Sequence, residues 1–163
     1  MNLSAALLPE FDQEMSTTRR LLERVPSDRG TWKPHPKSFS MGHLAQLISR
    51  MPGWITQIMK ETRLDLIAAA PYSLESTPTL LAEFDRHVRE ARMALERASE
   101  EDYSVTWSLA SGDRVFFTLP RGVVVRQTIN HLVHHRGQLS VYLRLVDVPL
   151  PSIYGPTADE GWS

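Results

Sequence analysis

Apolar residues recur at helical spacing in four long stretches, separated by segments whose spacing is not helical. From Ala5 to Val25, residues Leu7, Leu8, Phe11, Met15, Leu21, Leu22 and Val25 form one side of a helix. The charged positions between them suit an exposed face, and the helix is expected to end before Pro26. Ser40 can cap a second helix from Met41 to about Glu61, with the stripe Met41, Leu44, Ile48, Met51, Ile55 and Ile58. Pro52 falls inside that stripe and cannot donate to residue 48, so a kink or a split is expected there. Ser76-Thr77-Pro78 opens a third helix whose buried side is Leu80, Leu81, Phe84, Val88, Ala91, Met93, Ala94, Leu95 and Ala98. Its other face mixes both charge signs, and His87 among them reads as solvent-facing. The fourth helix runs from Val123 to near Val146 on Val125, Ile129, Leu132, Leu139, Leu143 and Val146.

The intervening segments read differently. Pro26 to Phe39 is dense in proline and glycine around Trp32 and is expected to be an ordered loop, with Trp32 closing one end of the core and His35 on the surface. Leu64 to Tyr72 reads as a loose connection. Between Val105 and Thr118 the period shifts toward two around Ser111-Gly112-Asp113, which predicts a β-hairpin. The tail from Val148 to Ser163 is rich in proline and is expected to lie extended over the helices. Four stripes with no other core-building element predict an all-α, four-helix-bundle domain over residues 1–163, with a small hairpin before the last helix.

Composition removes several chemistries. The chain has no cysteine, so disulfides, thiolate nucleophiles and cysteine-ligated metals are absent, and histidine and carboxylate are the available ligands. Eighteen basic against nineteen acidic residues give a net charge of −1 with no basic stripe, which disfavours nucleic acid. No eighteen-residue apolar run and no signal-like amino-terminal segment are present, so a cytoplasmic protein without membrane attachment is expected.

The segment Asn130-His131-Leu132-Val133-His134-His135-Arg136-Gly137-Gln138 carries the candidate chemistry. Residues four apart lie nearly above one another on a helix, so His131 and His135 can turn two imidazoles to one point. Both fall roughly 80–120° to the side of the apolar stripe, whereas His134 falls almost opposite it. His43 lies roughly 100° from Leu44, at the border of its own stripe, so it can supply a third nitrogen. Taken alone, His43 is more simply a hydrogen-bonded histidine at a core edge, and hydrogen bonding within the core is the plainer alternative for all three. Three histidine ligands leave a position open for water or substrate. Such a set suits zinc, nickel, iron(II) or copper(II), with zinc and nickel foremost and manganese also admissible. Gln46 and Gln138, a turn from these histidines, either orient a bound water or make interhelical hydrogen bonds. Arg136 falls roughly 20° from the centre of the stripe, so its buried guanidinium needs a partner, for which Asp159 or Glu160 of the tail is expected. Gly137 beside it either admits a close backbone approach or is a tolerated helix glycine.

Met41-Gly42-His43-Leu44, then His131-Leu132-Val133-His134-His135-Arg136-Gly137-Gln138-Leu139, then Pro149-Leu150-Pro151-Ser152-Ile153-Tyr154-Gly155-Pro156 together resemble the DinB family of the DinB/YfiT-like metalloenzyme superfamily. Trp32-Lys33-Pro34 and the hairpin extend the resemblance over most of the chain. The resemblance implies an up-down-down-up bundle, a homodimer, and a divalent metal on His43, His131 and His135. It also implies relatives that transfer or isomerise with low-molecular-weight thiols such as bacillithiol, mycothiol or glutathione. The expected function is a metal-dependent enzyme acting on a small molecule, such as a thiol S-transferase. The competing reading is a noncatalytic metal-binding stress protein whose site stabilises the bundle or dimer.

Overall fold

The four stripes fold as the long helices α1 (Leu3–Leu22), α2 (Met41–Lys60), α3 (Thr77–Arg97) and α5 (Arg121–Leu145) in a computed structural model, which describes residues 3–68 and 71–162. A short helix, α4 (Glu100–Ser104), and three strands, β1 (Arg63–Asp65), β2 (Thr106–Ser111) and β3 (Arg114–Pro120), complete the regular elements with two 3₁₀ turns at Ser27–Arg29 and Leu66–Ala68. The architecture is mostly helical with a small sheet. Helix α1 packs on α3 and α5, and α2 packs on the same two, so the four share one core. Leu7 and Phe11, Leu44, Ile48 and Met51, Leu80 and Phe84, and Ile129, Leu132 and Leu139 meet there. Each such side chain stabilises the fold by about 1.5–3 kcal/mol when fully buried.

The helix starts follow the capping chemistry of the sequence. The Ser40 hydroxyl accepts from the His43 backbone N–H at 3.3 Å, and the Ser76 hydroxyl accepts from Thr79 at 3.4 Å with Pro78 in the first turn. Each cap satisfies a donor that has no partner within its helix, worth about 1 kcal/mol. Helix α2 runs unbroken through Pro52, so of the kink or split expected there the split does not occur. Met51 and Ile55 are buried on either side of it, and their burial offsets the missing hydrogen bond. On α3, Met93 is 46% exposed, outside the buried side expected for it.

The hairpin forms, with Gly112 at φ +56° supplying the left-handed turn residue, but it is part of a three-stranded sheet. Strand β1 lies parallel to β2, pairing Leu64 with Leu109, in a stretch expected to be a loose connection. Asp65 ties the junction: its carboxylate accepts from Ile67 N at 3.0 Å and from Gly112 N at 3.2 Å. Those backbone donors hold its pKa below the ordinary 3.8.

Two side chains depart from their expected surroundings. His87 is not solvent-facing: it packs against α2 at Gly53, where a Cβ would lie 1.9 Å from the imidazole Nδ1. Only a residue without a side chain leaves that room, and desolvation, followed by the Arg86 charge, lowers the His87 pKa. Arg136 is buried as expected, at 1% exposure, but its partner is not Asp159 or Glu160. The guanidinium Nη1 lies 2.6 Å from Glu14 Oε2 on α1, and Nη2 donates to the Tyr154 hydroxyl at 2.9 Å. Tyr154 in turn donates to Glu14 Oε1 at 2.8 Å. The tail is thus pinned through Tyr154, while Asp159 pairs with Arg144 and Glu160 with Arg20 nearer the surface. Charged residues of α1 are therefore not all on its exposed face. Arg136→Ala strands the Glu14 carboxylate and is expected to cost about 3–5 kcal/mol in chemical denaturation, whereas Glu160→Ala costs under about 1 kcal/mol. Equal losses from the two variants would contradict this assignment.

Candidate metal centre

Helix α5 brings His131 and His135 together as their spacing dictates. Their Nε2 atoms lie 2.9 Å apart, with ring centroids 4.6 Å apart. Gln138, the next residue on the same side, places its Oε1 2.7 Å from His135 Nδ1. An amide oxygen accepts only, so this contact keeps the proton on His135 Nδ1 and turns the Nε2 lone pair toward His131. Closing the 2.9 Å contact then requires a proton on His131 Nε2. Gln138 therefore fixes the His135 ring through a contact within its own helix, one step removed from the water-orienting role considered for it. His135 is buried, whereas His131 lies at the exposed border beneath Trp54, ring centroids 6.0 Å apart. Desolvation, then the charges of His135 and His134, lowers the His131 pKa and favours the neutral ring that ligation needs. His134 is exposed on the outer side of α5, and His35 is exposed in the first loop.

His43 approaches from α2. Its ring is stacked between Phe39, centroids 4.3 Å apart at 22°, and Tyr72, 4.0 Å apart at 26°. Phe39 also faces His135 at 6.4 Å, so one aromatic ring borders histidines of both helices. Desolvation lowers the His43 pKa as well. The three rings are not assembled as a closed cage: among the described residues no group of three or more His, Cys, Asp or Glu side chains is gathered as a ready metal site. The structure brings together the pair and sets His43 beside it behind Phe39.

The donor types are nonetheless those that a divalent cation takes. Two Nε2 atoms face one another, the far nitrogen of one ring is held by an amide oxygen, and His43 meets a side chain only through its backbone N–H, which leaves its ring nitrogens without a bond among the described residues. Gln46, the other glutamine near the histidines, makes the interhelical kind of contact instead: its amide accepts from Ser73 N at 2.8 Å and donates to Ser73 Oγ at 3.2 Å. Phe39 and Tyr72 were not visible as site residues in the sequence, because nothing in their spacing marks a pair of rings that meets around a third.

The model of the DinB family matches residues 1–161. The chain belongs to the DinB family. As a DinB-family protein it is similar to the uncharacterised protein YrdA of Bacillus subtilis (strain 168), 23% identical over 159 residues, covering 94% of this chain and 89% of that protein. Its fold is similar to the crystal structure of the DinB-like protein YjoA from Bacillus subtilis, with TM-score 0.69, 19% identity, and 89% and 96% of the two chains covered. A DinB-like protein from Bacillus cereus gives TM-score 0.70 at 19% identity, covering 90% and 95%. Among the described residues no helix is long and apolar enough to cross a membrane.

The Gln138 contact makes a specific prediction. In metal-free protein, ring ¹⁵N chemical shifts should show His135 as the Nδ1–H tautomer, and Gln138→Leu should abolish that preference while leaving the helical spectrum unchanged. The same tautomer in Gln138→Leu would show that another group sets the ring.

Proposed function

We propose that this DinB-family protein holds a divalent metal ion, zinc or nickel first, on His43, His131 and His135, carried on an up-down-down-up four-helix arrangement in a cytoplasmic homodimer. On this reading it is a metal-dependent enzyme that transfers a low-molecular-weight thiol to an electrophilic small molecule. The observation that carries the metal reading is the 2.9 Å approach of the His131 and His135 Nε2 atoms, with Gln138 held on the opposite nitrogen of His135. Ligand histidines need a second partner on their other nitrogen to fix tautomer and direction, and Gln138 is that partner. The thiol-transfer half rests on the resemblance to thiol-dependent relatives in the superfamily.

When bound, a divalent ion supplies Lewis acidity, which lowers the pKa of a thiol or water in the open position. The protein's own part is to present neutral imidazoles and to exclude competing protons. Before both Nε2 lone pairs could face a cation, the proton on His131 Nε2 would have to move to its Nδ1, a change of tautomer with no net proton release; protons are released on binding only from rings that are charged beforehand. The aromatic rings of Phe39 and Tyr72 stack on His43, and Trp54 lies against His131.

Protein purified without added metal, analysed for elemental content, is expected to carry or bind one divalent ion per chain. His131→Ala and His135→Ala are expected to lose stoichiometric binding with far-ultraviolet dichroism unchanged. Occupancy should decline with acid as the rings protonate, His43 and His131 from below the ordinary imidazole range because burial lowers them, and full occupancy well below about pH 5 would contradict a histidine-built site. A screen of bacillithiol, mycothiol and glutathione against electrophiles should give turnover that both variants lose. A metal that raises the melting temperature with no turnover in any pairing would favour the noncatalytic role.

A further inference from the structure

His43 is held in an unusual way for a histidine at a helix border. Both faces of the ring are covered, by Phe39 at 4.3 Å and Tyr72 at 4.0 Å, at interplanar angles of 22° and 26°. Among the described residues its edge, where both nitrogens lie, makes no hydrogen bond; the contact His43 makes with a side chain is through its backbone N–H, to Ser40. Stacking on two faces removes rotation about the ring's last torsion while leaving the lone pair unused. Hydrogen bonding does that work for His135, through Gln138; nothing of that kind serves His43.

Tyr72 is itself anchored. It lies on the segment that links the sheet to α3, and that segment is fastened to α2 at successive residues. The Pro71 carbonyl accepts from Arg50 Nη1 at 3.1 Å, and the Arg50 guanidinium lies 5.3 Å over the Tyr72 ring. Ser73 makes its two hydrogen bonds to the buried Gln46 amide. Leu74 packs on Gly42, where a Cβ would lie 2.9 Å from its methyl and 3.0 Å from the Gly30 carbonyl oxygen. The aromatic clamp on His43 is therefore built from two separate parts of the chain, Phe39 just before α2 and Tyr72 on a segment tied to the buried side of α2.

We propose that Tyr72 and Phe39 are positioning residues that orient the His43 imidazole as the third metal ligand, and that Gln46, through Ser73, sets the placement of Tyr72. This rests on the three-histidine reading of the site. A ring held flat between two others loses less freedom on ligation, so removing one face should weaken binding in the way that loss of an outer partner does.

The test titrates zinc(II) into the full-length protein in competition with a chromophoric chelator and records the visible d–d spectrum of the cobalt(II) form. Tyr72→Ala and Gln46→Ala should weaken zinc by about 10–100-fold and shift the cobalt bands toward those of His43→Ala, whereas Tyr72→Phe, which keeps the stack, should stay near the parent. A merely structural role for Tyr72 would alter the melting temperature and leave the cobalt spectrum in place. Parent-like affinity and spectrum in both Tyr72→Ala and Gln46→Ala, with His43→Ala still impaired, would overturn the clamp while leaving the metal site intact. Parent-like zinc affinity in His43→Ala would overturn the three-histidine reading and the clamp together. Phe39→Ala provides the second face, and an effect there equal to that of Tyr72→Ala is expected.

Discussion

The rotation of α5 about its own axis is fixed by a charge that has nowhere else to go. Arg136 is almost wholly inaccessible, and its guanidinium is satisfied only while it points at Glu14, Thr18 and Tyr154. Turning the helix would leave an unpaired cation and an unpaired carboxylate in the core, at a cost of several kcal/mol. His135 is the preceding residue, about 100° away round the helix, so the same constraint aims its ring. A buried ion pair adds little net stability against a well-packed apolar pair, but it is intolerant of rotation. In this chain that intolerance directs the helix that carries His131 and His135.

Three levels of fixation therefore act on the candidate centre. The Arg136–Glu14 pair sets the direction of α5, Gln138 sets the tautomer of His135, and the stack of Phe39 and Tyr72 sets the plane of His43. Each reduces the number of arrangements that the histidine side chains can adopt. Tail, linking segment and first loop each contribute one fastening, so elements with little regular structure of their own are tied to the helices that carry the histidines.

What the sequence revealed followed from local periodicity. The stripe of α5 placed His131 and His135 at its border and buried Arg136, and the caps at Ser40 and Ser76 marked their helices. What it concealed depended on contacts between distant residues. Asp159 and Glu160 were near enough in sequence to suggest themselves for Arg136, but Glu14, 122 residues earlier, turns inward from α1 beside Thr17 and Thr18. His87 looked solvated because its neighbours are charged, and only the missing side chain of Gly53 on another helix makes room for it. Strand β1 has three residues, too few to show alternation, and exists through pairing with β2 more than forty residues later. Tyr72 falls in the same category: its role lies in which ring it covers, and spacing along the chain carries no trace of that.

The central claim is that imidazoles from α2 and α5 close on one cation. X-ray absorption at the zinc edge of the reconstituted protein tests it directly. The account predicts three imidazole nitrogens at about 2.0–2.1 Å, falling to two in His43→Ala. A first shell containing no more than one imidazole, or one unchanged when His43 is removed, would contradict it.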